Sequence, residues 1–489
     1  MTYHPIIGLE VHIQLNTQTK LFCSCLNEYT PNQPNKNICE FCTGQPGTLP
    51  LLNQEAVKKA IRFGVAVGGR IPEKTLWDRK NYFYPDLPAG YQISQNDNPI
   101  VQAGVVNYYV ENKQTGEYTP ARVELNRAHL EMDAAKLIHA GGKSLVDFNR
   151  SGAPLLEVVS EPVITSAEEA MAYVKELQLL ARKLDISEAN MEMGQMRFDC
   201  NISLQNPDQK QAQQLPNYKV EIKNINSIST IGKAIEYEIK RQTEILEEGG
   251  RPAQETRGWR DDLGISQSQR TKEEALDYRY FPERDLPVLI INPSDIPLLE
   301  EIPKLPFAYR EEYQQQGLSL AIANVFLNQE DVGELYQKCF ELIEVENSEI
   351  CKTIAHIITG KLINLADTQE KAINTLISEK NILALAEYFT ENKISNKGLQ
   401  QAIDLLVKAD YEKATTQEII QTNNLLQISD LVTIGAFADE VIEENEKAVK
   451  DYQSGKTGVI GFLVGQVLKK SKGKANPKIA EEVLGKKLV

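Results

Sequence analysis

Glu10 and His12 stand two residues apart in the run Ile7-Gly8-Leu9-Glu10-Val11-His12-Ile13-Gln14-Leu15, and His129 and Glu131 repeat that spacing in Arg127-Ala128-His129-Leu130-Glu131-Met132-Asp133. On a strand, an imidazole and a carboxylate at this interval leave from one face and can aim at one point. Carboxylate oxygens suit a hard divalent cation such as Mg²⁺, which keeps waters and substrate phosphates in its shell. Basic residues supply the complement. Arg79 and Lys80 in Trp77-Asp78-Arg79-Lys80-Asn81-Tyr82-Phe83-Tyr84-Pro85-Asp86, Arg127, Arg150 in Asp147-Phe148-Asn149-Arg150-Ser151-Gly152, Arg197, Lys223 and Arg279 can hold phosphoryl oxygens or a substrate carboxylate. The chain has no Gly-x-x-x-x-Gly-Lys loop, so the set fits phosphoryl transfer from ATP outside the P-loop class.

Strands must position these groups, and the alternation says which. Leu9, Val11, Ile13 and Leu15 oppose Glu10, His12 and Gln14; Phe198, Cys200, Ile202 and Leu204 oppose Arg197, Asp199, Asn201 and Ser203; Val220 and Ile222 oppose Lys219, Glu221 and Lys223. The run Leu155 to Glu161 aligns Glu157 with Glu161 less regularly. A solvated sheet face is ordinarily richer in Thr, Lys and Ser. Five such segments predict an antiparallel sheet with one face covered and one chemically armed.

Four of the seven cysteines form two short-spaced pairs, Cys23-x-Cys25 and, thirteen residues later, Cys39-x-x-Cys42. That spacing can bring four thiolates to the corners of a tetrahedron around zinc, and the loop containing Pro31, Pro34 and several Asn suits a structural ion with a closed shell. Cys200, Cys339 and Cys351 are isolated in apolar surroundings and read as small core residues.

With 489 residues and 42% hydrophobic content the chain exceeds one core, and two or three domains are expected. No run reaches the roughly 18 to 20 apolar residues of a membrane span, which predicts a cytoplasmic protein with no membrane partner. A formal charge of -15 excludes a surface that embraces nucleic acid everywhere. Residues 451–489 differ, with eight Lys against three acidic residues, a local +5.

Helices interleave with the strands. Asn53 is placed to cap a helix running to about Val67 before Gly68-Gly69, Ser166-Ala167-Glu168-Glu169 reads as a capping box for a helix to about Leu184, and a third helix spans about Ser229 to Glu248, with Ile231, Ile235 and Ile239 on one side. Pro287, Pro293, Pro297, Pro303 and Pro306 mark a boundary, after which the pattern turns helical. The expected domains are 1–293, with the four-cysteine loop at 23–42, then helical 294–408 and a basic helical tail at 409–489.

Several long segments carry a resemblance: Ile7 to His12, Asp78 to Asp86, Tyr91-Gln92-Ile93-Ser94-Gln95, Leu155 to Pro162, Glu221-Ile222-Lys223-Asn224-Ile225-Asn226-Ser227, Asp277-Tyr278-Arg279-Tyr280-Phe281-Pro282-Glu283, Gly461 to Gln466 and Lys472 to Pro477. Across essentially its whole length the chain resembles the B subunits of bacterial-type aspartyl/glutamyl-tRNA amidotransferases. The resemblance implies an α+β, glutamine-synthetase-like cradle followed by two all-α domains. It implies a reaction in which ATP and Mg²⁺ phosphorylate the side-chain carboxylate of Glu or Asp on a misacylated tRNA, and ammonia then displaces phosphate. Ammonia would come from a partner amidase, the A subunit of such enzymes, joined with the help of a small C subunit. On this basis Glu10, His12, Glu131 and Glu157 are the catalytic and Mg²⁺ candidates. Arg79, Lys80, Tyr82, Arg150, Arg197, Lys223 and Arg279 are assigned to ATP or substrate, Cys23, Cys25, Cys39 and Cys42 to zinc, and Lys469, Lys470, Lys472 and Lys474 to tRNA phosphates.

The sequence departs from the family pattern at Met132 and Met193, where Glu is common, and at Arg284, where Pro is frequent. Alternation turns Met132 away from His129 and Glu131. The chain lacks a Gly-Gly-Ser-Ser-like amidase loop, in keeping with ammonia made elsewhere. Two other classes compete. A small-molecule glutamine-synthetase-like ligase would share the phosphate chemistry and leave the basic tail without a use. A zinc-ribbon RNA-binding module would leave the acidic strands unexplained.

Overall fold

The computed structural model describes residues 3–28, 33–212, 214–271, 278–345, 347–408 and 414–488. Pro31 and Asp277, which figure in the sequence patterns above, lie outside these residues. The chain divides into two compact units, residues 1–308 and 309–489.

In the first unit the alternating segments pair as expected from their apolar faces. Nine strands among the described residues form one sheet. From one edge the order is Ile265–Thr271, Glu255–Arg260, Val220–Ile225, Met196–Gln205, His4–Gln14, Pro154–Ser160, Tyr118–Met132 and Val101–Gln102, with Val105–Glu111 also paired to Tyr118–Met132. Leu9, Val11, Ile13, Leu130, Val158, Ile202 and Ile222 are fully buried on the face covered by helices. Met132 joins the same core, so its replacement of a Glu leaves the armed face intact.

One expectation about the sheet is corrected. Val220–Ile225 and Glu255–Arg260 run parallel, so the sheet is mixed, although every other pairing in it is antiparallel. Parallel neighbours need a crossover between them, and the helix Ile228–Glu247 provides it. The irregular run also has a cause: a register shift at Val159/Ser160 ends the alternation before Glu161, whose Oε1 instead accepts from Asn126 Nδ2 at 2.8 Å.

The three expected helices of the first unit lie where their caps place them. Gln54–Ala66 is capped by Asn53, whose side chain accepts from the N–H groups of Glu55 and Ala56. Ala167–Lys183 is capped by Ser166, but the return arm of the expected box differs, since Glu169 accepts from the N–H of Thr165 at 2.8 Å, one residue further back. Ile228–Glu247 starts from the Ser227 cap and buries Ile231 and Ile235. The proline-rich stretch carries only the short strand Leu289–Ile290 and two single-turn 3₁₀ helices, Pro293–Asp295 and Leu299–Glu301.

Among its described residues the second unit is helical and has two apolar clusters. One runs from Tyr313 to Ile420 in sequence and includes Phe326, Tyr336, Ile354 and Leu385. The other gathers Ile434, Ala438, Leu463, Val467 and Leu484. Among the described residues no helix is long and apolar enough to cross a membrane.

Leu9 is fully buried at the centre of the sheet core. Leu9→Ala is expected to lower the unfolding free energy by about 2–5 kcal/mol, read as a lower denaturant midpoint; an unchanged midpoint would show that this strand does not anchor the core.

Candidate functional site

Register builds the site before any side chain is considered. His12 stands opposite Glu157 on one neighbouring strand and opposite Arg197 on the other, and Glu157 stands opposite His129. Directly opposed residues share a face, so Arg197, His12, Glu157 and His129 form one row across four strands. The adjacent row pairs Glu10 with Asp199.

His12 Nε2 lies 3.2 Å from Glu157 Oε2 and 3.4 Å from Glu131 Oε1. His129 Nε2 lies 3.5 Å from the same Glu157 oxygen, while its Nδ1 is buried without a hydrogen-bond partner. Ser94 Oγ donates to Glu131 Oε2 at 3.3 Å. One donor atom each from His12, Glu131 and Glu157 falls within 4.8 Å of the others, and Glu10, Asp199 and Glu221 form a second set meeting the same limit. Of the four Mg²⁺ candidates, three therefore stand together, and Glu10 belongs to the neighbouring set.

The electrostatics are those of two anionic wells. Burial pulls the His12 imidazole down, but hydrogen bonds and charge from Glu131 and Glu157 outweigh it and lift the pKa to about 10. His129 is held below its ordinary value, chiefly by burial. Glu131 and Glu157 are held low despite burial, the first through His12 and the second through His129 and His12. Glu10 is pushed up by burial and by the charges of Glu157, Asp199 and Glu221, against a partial offset from Lys223.

A cleft of about 340 Å³ opens beside these wells, and His12, Glu131 and Asp199 line it together with Lys80, Tyr82, Arg150, Arg197 and Lys223. Lys80 remains charged because Glu131 and Glu157 outweigh its burial. Lys223 Nζ reaches Asp199 at 2.7 Å and Glu221 at 3.1 Å. Arg197 and Arg150 meet at Asp133, 2.9 Å and 3.3 Å from its two oxygens. Arg79 is absent from the cleft wall. Its guanidinium holds buried Glu283 through two bonds of 2.6 and 2.9 Å, contacts Asp285 and lies 4.2 Å from the Tyr91 ring centre. Arg279 is exposed, with φ of 41°, and its carbonyl accepts from Asn81 Nδ2.

The four clustered cysteines also converge, with their sulfurs all within 4.8 Å of one another. A tetrahedral zinc with bonds of about 2.3 Å sets sulfurs about 3.8 Å apart, and Cys39 and Cys42 Sγ lie 3.8 Å apart. The Cys42 thiol is drawn down to about 5 by its hydrogen bond with Cys23, the Cys39 N–H and nearby Lys20. The donor set fits a thiophilic structural ion. Cys200, Cys339 and Cys351 are buried outside this cluster.

In the second unit, Lys469, Lys472 and Lys474 are exposed. Lys470 is not free: its Nζ lies 2.8 Å from both Glu440 and Glu444.

Asp133, Asp199 and Glu221 were on the armed faces in the sequence, yet spacing along one strand does not reveal donors contributed by neighbours. Their alternation was the available signal. Cross-strand register makes them part of the site.

Residues 5–296 match the family described as the GatB/GatE catalytic domain, and residues 338–488 match the GatB domain. A Gloeothece citriformis protein, named as the B subunit of aspartyl/glutamyl-tRNA(Asn/Gln) amidotransferase, is 41% identical over 496 residues, covering 99% of this chain and 98% of that protein. A protein of the same name from Caldanaerobacter subterraneus subsp. tengcongensis is 38% identical over 492 residues, covering 100% of each.

The His12 shift fixes a pH dependence. With a folded value of about 10 against an ordinary 6.5, its contribution to stability is complete below 6.5 and is lost as pH rises through 10. Glu131 acts oppositely, contributing above its ordinary 4.5 and losing that contribution as pH falls through its lowered folded value. In metal-free protein, denaturant midpoints should fall between about pH 6 and about pH 9, and His12→Ala should flatten that fall. An identical slope in the variant would show that the imidazole is not held charged.

Proposed function

The chain belongs to the family of aspartyl/glutamyl-tRNA(Asn/Gln) amidotransferase B subunits, and from that premise we propose that its armed sheet face activates the side-chain carboxylate of a misacylated tRNA for amidation. The observation that carries the reading is the pair of donor sets, His12/Glu131/Glu157 and Glu10/Asp199/Glu221, side by side at a cleft with basic walls. The one-faced sheet backed by helices supports a glutamine-synthetase-like cradle. Two separate apolar clusters support two all-α domains after it, 294–408 and 409–489, although the first cluster extends to Ile420.

A carboxylate oxygen is a poor leaving group, and transfer of the ATP γ-phosphoryl group to Glu or Asp on the tRNA turns it into a good one. Ammonia then adds at the carbonyl carbon, phosphate departs and the amide remains. Bound Mg²⁺, held by the two donor sets, would neutralise phosphoryl oxygens. Lys80, Arg150, Arg197 and Lys223 bind and orient phosphate and substrate carboxylate, and Tyr82 closes the wall beside Lys80. Arg197, Arg150 and Lys223 are pre-placed by Asp133, Asp199 and Glu221, which keeps long side chains from sampling other rotamers. Arg79, fixed to Glu283, supports the Asp78–Asn81 strand that presents Lys80, and Arg279 lies in the segment whose Tyr278 carbonyl accepts from the N–H of Asn81. Walls that exclude water protect the acyl phosphate until ammonia arrives.

The four-cysteine loop holds a structural zinc. A partner amidase, the A subunit of the enzyme, supplies ammonia, with a small C subunit in the assembly, and the complex works in the cytoplasm. In the basic tail, Lys469, Lys472 and Lys474 contact tRNA phosphates, while Lys470 must first leave Glu440 and Glu444.

With ATP, Mg²⁺, an ammonium salt and the partner subunits, amide should form on Glu-tRNA(Gln) or Asp-tRNA(Asn) assayed separately. Turnover of free glutamate without tRNA would instead favour a small-molecule ligase. His12→Ala and Glu10→Ala should each lower amidation by about 100-fold or more with the protein folded, and retained turnover would remove that residue from the machinery. Truncation after about residue 410 should weaken tRNA binding while sparing tRNA-independent ATP hydrolysis; equal tRNA affinity would show that the tail does not grip it.

A further inference from the structure

Lys20 is fully buried, a rare state for a lysine unless its ammonium is satisfied. Its Nζ donates to Asn37 O at 2.8 Å and to Phe148 O at 3.2 Å, so one cation joins the four-cysteine loop to the segment 147–152. The two are knitted along their length. Asn149 Oδ1 accepts from the N–H groups of Lys36 and Asn37 at 2.8 and 2.9 Å, and Asp147 Oδ1 accepts from the Asn35 N–H at 2.9 Å. Ser151 Oγ donates to Cys42 O at 2.9 Å. Gly152, at φ of +82°, takes the left-handed backbone that glycine favours and packs beside Lys20 and Cys42.

Arg150 leaves the same segment in the other direction. Its guanidinium donates to Ala134 O and Ala135 O at 3.0 and 3.1 Å and faces Asp133, the carboxylate that also holds Arg197. Asp133 is tied to this turn by backbone as well, through the bonds Asp133 N–H to Ala153 O and Gly152 N–H to Asp133 O. Side-chain bonds from Asp147, Asn149 and Ser151 thus run to the metal loop, while Arg150 serves the cleft.

We propose that the four-cysteine loop, with Lys20 and Asn149 as positioning residues, sets the place of Arg150 in the cleft, so that metal held by the cysteines and ligand held by Arg150 are energetically coupled. The inference rests on the reading of the cleft as an ATP site and of the cysteines as zinc ligands. The physical reason is that four sulfurs closed on one ion fix a loop with little core of its own. The loop's N–H and C=O groups then have one orientation, and the 147–152 turn is built on that orientation. Loss of the ion leaves the turn with mobile partners and Arg150 with a larger range to search before it meets an anion.

Coupling between two sites is reciprocal, and this supplies a test that does not depend on turnover. Zinc release from the full-length, zinc-loaded chain to a chromophoric chelator is followed with and without saturating Mg²⁺-ATP, whose binding is measured separately by calorimetry. In the unaltered protein Mg²⁺-ATP should slow release by about fivefold or more. In Asn149→Ala and Arg150→Met the slowing should fall below about twofold. Asn149→Asp, whose carboxylate still accepts both N–H groups and loses the bond from Nδ2 to Gln33 O, should retain a slowing above about twofold. Should Asn149→Ala fail to fold, Arg150→Met, which leaves the metal loop intact, decides the matter. Mg²⁺-ATP that binds and leaves zinc release unchanged overturns the coupling alone. Failure of Mg²⁺-ATP to bind the unaltered protein overturns the reading of the cleft and the coupling with it.

Discussion

The antiparallel pairing of His4–Gln14 with both neighbours is the constraint on which the site depends. It lays His12 between Glu157 and Arg197 and, two residues earlier, Glu10 beside Asp199. A shift of one residue in its register would turn Glu10 and His12 into the core and Leu9, Val11 and Ile13 out to water. Burial of Leu9, Val11 and Ile13 on the opposite face therefore holds the chemistry in place. The same atoms that stabilise the sheet forbid the register that would dismantle the site.

This arrangement concentrates charge at a cost the protein offsets locally. Glu131 and Glu157 share His12, which remains protonated through neutral pH in the absence of a metal. Glu10, Asp199 and Glu221 share Lys223, and Asp133 separates two guanidinium groups that would otherwise repel. Each anionic well thus carries a cation of its own. A divalent ion entering the His12 set competes with a proton, which links metal affinity to pH. Asparagine and hydroxyl groups complete the shell: Asn201 donates to Glu10 and Thr256 to Glu221.

Around that face, structure is fixed by means other than a large core. The cysteine-bearing loop contains few apolar residues, and its described residues are held by converging sulfurs, one buried lysine and hydrogen bonds to the 147–152 turn. The Asp78–Asn81 strand is held from the other side, by Arg79 on Glu283. A guanidinium that looked free for phosphate in the sequence has become part of the scaffold. The same holds for Lys470, committed to two glutamates on the helix Leu431–Glu444.

By itself the sequence determined which residues face which way. Period-two alternation identified the central strands and their armed faces, Asn53 and Ser166 marked helix starts, and paired cysteine spacings announced a four-sulfur site, because these are local consequences of backbone geometry. Tertiary structure decided which strands lie side by side. That is why Glu10 falls with Asp199 and Glu221, why one strand pair is parallel across the Ile228–Glu247 crossover, and why Arg79 serves Glu283. A side chain's partners come from chain segments up to about two hundred residues away, such as Arg79 and Glu283, separated by 204. No local pattern encodes such a contact. It exists only once burial of the apolar face has fixed the register.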